Sequence, residues 1–280
     1  MKKIAEGKTK IIWSIPGVED KVIIENKPFL TAGDGVKRDF LEEKGIYATK
    51  TTCNCFLLLK TKRIPTHFIE KIDEKRFKAI KLQMIPIELV ARRIATGSYL
   101  KRHPEVKEGE VFKDLVVEFF LKDDARHDPL MIWNKNSNNF ELYDTKKPLK
   151  EGYIGKLFSD NLLIPKSLEE VNYLITLTKK VFIILEKAWR NENVTLVDLK
   201  IECGKDKNGV IRVGDVIDND SWRIWLGGDK SQMKDKQVYR DLKKMTPEAR
   251  ENLKRNYAWV AEKTEKFLGQ SPKNQNKKVA

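Results

Sequence analysis

Apolar and polar residues alternate with a period of two in short stretches early in the chain, and recur with a helical period near its middle and end. Lys8 to Ile15 and Lys21 to Asn26 carry the strand pattern on either side of Pro16-Gly17, which predicts a hairpin. A helix is expected between Asp39 and Lys62, around the apolar run Phe56 to Leu59, with further strands at His67 to Ile72 and Phe77 to Met84. Gln83 to Glu88 contains a proline and reads as a connector between two lobes. Leu115 to Leu121 reads as a strand. Trp133 to Ile164 is polar, rich in Asn and Lys, and predicts a loop-rich or mobile insertion.

Ser167 followed by Glu170 forms a capping box, and Val171, Leu174, Ile175, Phe182, Leu185 and Trp189 then recur at helical spacing. Thr195 to Cys203 and Val210 to Ile217 predict a second hairpin, turned at Asp206-Lys207-Asn208-Gly209. The last helix starts at Thr246-Pro247-Glu248, with proline in the first helical position and Leu253, Tyr257, Val260 and Phe267 on one face. From Gly269 onward the polar residues predict a disordered tail over 269–280.

A chain of 280 residues suits one large domain or two lobes about a cleft. Its 55 Lys and Arg against 41 Asp and Glu leave a net charge of +14, which favours anionic partners. Those partners are nucleic acid, acidic lipid or phosphorylated small molecules; because the lysines are dispersed and only Lys273 to Lys278 forms a short basic run, a lysine-rich surface that simply solvates the protein is expected ahead of nucleic-acid binding. Cys53, Cys55 and Cys203 are too few for a disulfide framework, and Cys53-Asn54-Cys55 has no second pair to complete a metal site. Buried free thiols in a reducing compartment are expected. No apolar stretch approaches the ~18 residues of a membrane span, and no signal peptide opens the chain. A cytoplasmic protein without a membrane partner is the expectation.

The densest chemistry lies in the second hairpin. Alternate side chains of a strand share a face, so Asp198, Lys200 and Glu202 line up about 7 Å apart while Val197, Leu199 and Ile201 point the other way. Such a row is also what an ordinary solvated sheet face shows. The partner strand shifts the balance, because pairing across Asn208-Gly209 brings Asp215 toward Glu202. Two adjacent carboxylates call for a cation between them. Magnesium, held by one or two carboxylates together with nucleotide phosphates, meets that need, so Glu202 and Asp215 are the expected Mg²⁺ ligands. Lys200 beside them would counter moving phosphoryl charge.

Three further elements are basic. Gly7 lets backbone approach a ligand closely, with Lys8 and Lys10 on one side of the strand after it. Arg92-Arg93 and Gly97-Ser98 offer a guanidinium fork and hydroxyl and backbone donors for phosphate or carboxylate. Lys236 and Arg240 are spaced to share a helix face. No Walker motif and no Gly-x-Gly-x-x-Gly occurs, so a nucleotide site here must be lined by strands.

Together these stretches resemble the SAICAR synthetase (phosphoribosylaminoimidazole-succinocarboxamide synthase) family. Met84 to Ser98 resembles one of its signatures and Leu196 to Gly204 the other. Glu6 to Lys10, Phe120 to Asp124, Asp215 to Trp225 and Asp235 to Arg240 match in the same order, over about residues 4 to 268. Arg93 to Ser98 and Val216 to Arg223 look more like the animal form, in which this domain is fused to a carboxylase. Cys203 departs from the family, which usually has phenylalanine there.

The resemblance implies an α+β, two-lobed fold spanning 1–268. Residues 1–84 would be an antiparallel-sheet ATP-binding lobe related to those of protein kinases and ATP-grasp enzymes, and 85–268 a larger substrate lobe. It implies ATP and Mg²⁺ as cofactors, with a carboxylated aminoimidazole ribotide and L-aspartate as substrates joined through an acyl phosphate. A homo-oligomer is compatible with it. Gly7, Lys8, Lys10, Met84 and Lys122 would then contact ATP. Glu88, Arg92, Ser98, Arg223, Lys236 and Arg240 would contact the ribotide. Lys200, Asp198 and Asp220 would be catalytic, with Asp198 or Asp220 taking the amine proton. A kinase-like phosphotransferase is the alternative, although the His-Arg-Asp and Asp-Phe-Gly triplets are absent. A nucleic-acid-binding module rests on charge alone.

Overall fold

The computed structural model describes residues 1–33, 36–157 and 163–269, so the expected tail from 270 onward and the basic run Lys273 to Lys278 lie outside the described residues. The first part of the chain lays down β1 (Lys3–Glu6), β2 (Lys10–Ile15), β3 (Val18–Asn26), the small hairpin β4 (Phe29–Ala32) and β5 (Lys37–Phe40), helix α1 (Lys44–Thr61), β6 (Phe68–Lys71) and β7 (Arg76–Ile80). Five of these strands form an antiparallel sheet in the order β1-β2-β3-β7-β6. Gly17 closes the β2–β3 turn at φ +73°, where a glycine carries no Cβ penalty.

The second part adds β8 (Gln83–Ile94), α2 (Ser98–Arg102), β9 (Val111–Leu121), β10 (Leu130–Asn134), β11 (Asn139–Tyr143), β12 (Tyr153–Lys156), α3 (Leu168–Asn191), β13 (Val194–Lys205), β14 (Ile211–Gly214), β15 (Trp222–Leu226), α4 (Gln237–Asp241) and α5 (Pro247–Glu265). Its strands form an eight-stranded sheet along β12-β11-β10-β9-β8-β13-β14, with β15 also paired to β13. The architecture is α+β with antiparallel pairing between its named strands.

Helix α3 starts as its sequence dictates. The Ser167 hydroxyl accepts the Glu170 N–H at 3.2 Å, and the Glu170 carboxylate accepts the Lys166 N–H at 2.7 Å. Its apolar stripe, including Leu174, Phe182, Leu185 and Trp189, is buried against β13 and β8. Each such side chain contributes about 1.5–3 kcal/mol by leaving water. Helix α5 is capped by Thr246, whose hydroxyl accepts the Ala249 N–H at 3.2 Å, and it packs on α1. One continuous core joins Phe56, Phe68 and Phe77 to Trp189 and Trp222. The two sheets touch through a parallel bridge between Thr66 and Val213: Val213 donates to the Pro65 carbonyl and accepts from the His67 N–H, both at 2.9 Å.

Several elements differ from expectation. The helix expected from Asp39 begins only at Lys44, because residues 37–40 are drawn into a hairpin with 29–32. That hairpin is held by tertiary contacts: the Lys37 ammonium donates to the carbonyls of Tyr239 and Leu242 at 2.6 Å each. The strand expected over Phe77 to Met84 is two strands, since the chain changes sheets at residues 81–82.

Gln83 to Glu88 is no connector but the start of the twelve-residue β8. Pro86 is tolerated there because β8 bulges against β13, with residues 85–87 set opposite Cys203 alone, so the ladder does not call on the missing N–H. The stretch from Trp133 to residue 157 keeps the expected loops at 135–138 and 144–152, but strands run between them. It is the meander β10–β12, in which Phe140 and Leu142 face inward and polar residues face out, as an outer antiparallel strand requires. Residues 158–162 of that stretch lie outside the described residues. The three cysteines are free and buried, and Cys203 lies in the core as its position in the alternation predicts.

Candidate active site

A cleft of about 870 Å³ opens between the two sheets. From the first sheet's side Lys8, Lys10 and Gly7 reach it, and from the second Met84, Glu88, Lys122, Lys200 and Glu202 do. The strand β13 delivers its charged row there because its odd-numbered residues, Val197 to Cys203, are spent on the core. The partners of β13 then part company. β14 pairs with it up to Glu202 and β15 from Leu199 back to Val194, so residues 215–221 leave the sheet edge opposite Lys200. The Lys200 N–H caps this excursion by donating to the Ser221 carbonyl at 2.6 Å. The loop thereby places Asp215, Asp218 and Asp220 on the cleft wall. Asp215 pays in backbone conformation, with φ +55° in the left-handed region that non-glycine residues avoid.

The solvated-face reading of the row does not hold: Asp198 and Glu202 are each only 5% exposed. Lys200 is bonded at 3.0 Å to both Glu88 and Glu202, and Lys122 donates to the second Glu202 oxygen at 2.7 Å. Lys10 is hydrogen-bonded to Asp215. Burial opposes ionisation of Asp215, yet Lys10 and then Lys200 outweigh it, so the carboxyl stays below the usual carboxylate range. Lys8 makes only a loose contact, 3.5 Å from Asp124. Glu202 and Asp215 thus share one cleft as expected, with lysines where the sequence called for cations.

Among the described residues no group of three or more His, Cys, Asp or Glu is placed to cage a metal ion. Two carboxylates in a roomy cleft instead suit an ion that takes its remaining oxygens from phosphate and water, which is how Mg²⁺ is usually held.

A second cavity of about 260 Å³ adjoins the first and shares Glu88, Lys200, Asp220 and Arg240 with it. Ser98, Arg92, Arg223 and Asp198 line its far side. Arg223 is hydrogen-bonded to Asp198 through its guanidinium, and its N–H donates to the other Asp198 oxygen at 3.1 Å. Lys236 and Arg240 both reach the larger cavity, which bears out their shared face. Arg240 also donates to Gln237 at 3.3 Å.

Some expected roles meet resistance from the geometry. Arg92 was expected to grip substrate, but it is 3% exposed and already forked, Nε to Glu118 at 2.6 Å and Nη1 to Asp198 at 2.9 Å. Its Nε and Nη1 are thereby committed within the protein, because a buried guanidinium must be paired. Asp198 or Asp220 was expected to accept a proton, but both oxygens of each are engaged. Asp220 takes the Tyr257 hydroxyl at 2.8 Å and Lys236 at 3.1 Å, with Lys44 at 3.5 Å. Burial resists the charge on Asp220, and Lys44 and then Lys236 overcome it, holding the carboxyl low. Both aspartates anchor cations.

Sequence reasoning missed Lys44, Asp218, Tyr257 and His67. Lys44 is 1% exposed at the start of α1, and burial, which would discharge it, is outweighed by Asp220 and then Asp218. His67 lines the cleft between Phe56 and Phe77. Burial lowers its imidazole to about 4 against the pull of Asp215, so it is neutral. Lys44, His67 and Tyr257 reach the site from elements remote in sequence, and no local spacing marks them; Asp218 lies between Asp215 and Asp220 on the same loop.

A profile described as SAICAR synthetase matches residues 3–256. The phosphoribosylaminoimidazole-succinocarboxamide synthase of Roseiflexus sp. (strain RS-1) is 41% identical over 268 residues, covering 96% of this chain and 98% of that protein. The multifunctional protein ADE2 of Gallus gallus is 44% identical over 268 residues, covering 95% of this chain but 59% of that protein. The chain therefore spans less than two thirds of the animal relative and nearly all of the bacterial one. A solved SAICAR synthetase in complex with ADP superposes with a TM-score of 0.75 at 30% identity, covering 96% of this chain and 99% of that chain.

Proposed function

The chain belongs to the SAICAR synthetase family, and on that premise we propose that it is an ATP-dependent ligase of purine biosynthesis. It would join a carboxylated aminoimidazole ribotide to L-aspartate and release ADP and phosphate. The observation that carries this reading is the junction of the two cavities at Lys200. A cleft rich in lysine and carboxylate meets an arginine-lined pocket there, so a nucleotide and a second anion could approach one ammonium group. The structural neighbour solved with ADP supports a nucleotide as ligand, which is assigned here to the larger, lysine-rich cleft.

Amide formation from a carboxylate needs a leaving group better than oxide. A ribotide carboxylate oxygen attacks the γ-phosphorus of ATP, the bond from that phosphorus to ADP breaks, and an acyl phosphate results. Lys200 lies at the junction and neutralises charge on the transferring group, while Lys8, Lys10 and Lys122 bind the nucleotide phosphates. Glu202 and Asp215 would hold Mg²⁺, which supplies further charge neutralisation on the phosphates. Met84 packs against the base side of the nucleotide. Ser98, Arg223, Lys236 and Arg240 orient the ribotide, and Arg92 acts by fixing Asp198. The aspartate amine then attacks the carbonyl carbon and the carbon–oxygen bond to phosphate breaks. Because Asp198 and Asp220 anchor cations, the departing phosphate takes the amine proton.

The test is ADP release in three arms: complete mixture, ribotide omitted, aspartate omitted. Release that needs both substrates is expected. Full-rate release without aspartate would replace the ligase reading with a kinase-like phosphotransfer.

A further inference from the structure

Beneath the smaller cavity runs a row of buried charges that alternates in sign across five elements. Arg102 of α2 donates to Glu118 of β9 at 2.6 Å, and Arg92 of β8 donates to the other Glu118 oxygen, also at 2.6 Å. Arg92 continues to Asp198 of β13 at 2.9 Å, and Asp198 receives Arg223 of β15. The register explains the continuity: Asp198 stands directly opposite Arg92 on one side and opposite Arg223 on the other.

Both ends of the row return to the same two residues. At the deep end Arg102, whose side chain is 0% exposed, donates its Nη1 to the Ser98 carbonyl at 3.0 Å. At the open end the Arg223 guanidinium lies against Gly97, so closely that a Cβ there would sit 2.7 Å from Nη2. Gly97 itself has φ +62°, a conformation suited to glycine. Three cations and two anions leave one positive charge in surplus. It emerges at Arg223, whose side chain is 18% exposed against 4% for Arg92.

We infer that Glu118 and Arg102, which line neither cavity, are positioning residues for the anionic ribotide: they fix Ser98 and Arg223 at a set separation across the smaller pocket. This rests on the ligase reading above. Glu118 keeps two buried guanidinium groups from repelling each other, and Arg102 ties the backbone of the Gly97-Ser98 turn to that pair. Loosening either end shifts a hydroxyl and a guanidinium relative to each other without touching the nucleotide cleft. A misplacement of about 1 Å in substrate-orienting groups can cost up to about a hundredfold.

The experiment compares wild type with Glu118→Gln and with Arg102→Lys, a milder change that keeps the charge pair and loses the second arm. Saturation curves are taken for ribotide, ATP and aspartate, beside thermal melts. A rise of about tenfold or more in the ribotide KM, with KM for ATP within about twofold, is expected in each variant that folds. If all three KM values hold and only the rate falls with the folded fraction, the residues are structural and the inference is overturned. An unchanged ribotide KM in Arg102→Lys overturns it even if Glu118→Gln does not fold. A wild-type chain that makes no product from the ribotide would instead remove the ligase reading, and that is visible before any variant is compared.

Discussion

The Lys200 ammonium stands 3.0 Å from the carboxylate of Glu202, two residues further along the same strand. Burial alone would discharge Lys200, but Glu202, then Glu88 and Asp215, more than offset it and hold its pKa well above the ordinary lysine value. The site therefore carries a permanent cation at the junction of its two cavities. Lys200→Met is expected to lower the rate of ADP release by about 10²–10³, the usual cost of losing one preorganised electrostatic contact. A variant within about threefold of wild type would take Lys200 out of the chemistry.

Asp215 and Glu202 are proposed as the protein's contribution to a bound magnesium ion. Asp215→Asn should raise the Mg²⁺ concentration for half-maximal rate by about tenfold or more, since it removes one of the two proposed protein carboxylate ligands. Chelation of divalent ions should stop turnover in wild type. A titration curve for Asp215→Asn that overlays the wild-type curve would refute the assignment.

Asp235 gives a pH signature of its own. It accepts the Ile224 N–H at 2.9 Å and the Gln237 N–H at 2.8 Å, joining β15 to the start of α4. Burial nevertheless raises its carboxyl from an ordinary 3.8 to about 6. A raised acid pKa means that the folded state holds the proton more tightly than the unfolded chain. This group therefore favours folding below about pH 4, loses that contribution as pH rises to about 6, and adds no slope above it. The loss is on the order of 3 kcal/mol. Urea unfolding of Asp235→Asn at pH 4.5 and 7 should show a smaller decline between the two values than wild type shows. An identical decline in both proteins would assign it elsewhere.

Gly97→Ala combines a left-handed backbone with a Cβ placed 2.7 Å from the Arg223 guanidinium. A loss of about 1–3 kcal/mol is expected from the backbone strain. A ribotide KM raised more than that for ATP is expected from the displaced arginine. Equal stability of the two proteins in denaturant would contradict this account of the turn.

Lys44 is buried between Asp218 at 3.8 Å and Asp220 at 3.5 Å. Lys44→Met would leave buried carboxylate charge without its partner, a change that typically costs 3–5 kcal/mol. Chemical denaturation at neutral pH measures it. A loss below about 1 kcal/mol would mean that Lys236 and Tyr257 suffice to hold Asp220.

How legible the site was in the sequence depended on how local its causes were. The row Asp198, Lys200 and Glu202 was readable because strand alternation is a covalent property of the chain, and Asp215 followed from one hairpin turn. The caps Ser167 and Thr246 were readable for the same reason. The β4–β5 hairpin was not, because Lys37 is bonded to carbonyls some two hundred positions away. Pro86 misled because a proline ordinarily ends a strand, and here a bulge in β8 opposite Cys203 accommodates it. Arg92 was read as a substrate contact since nothing in its own strand reveals Glu118 on the next. Lys44 looked like any lysine near a helix start until tertiary packing enclosed it.

The bridge between Thr66 and Val213 gives the two halves a mechanical bias. It is fixed two residues before Asp215, and the covalent crossing at residues 81–82 packs beside it, Leu82 lying close against Gly214. Like the rivet of a pair of pliers, it ties the two sheets together at the end of the cleft that carries Asp215, two residues from Val213.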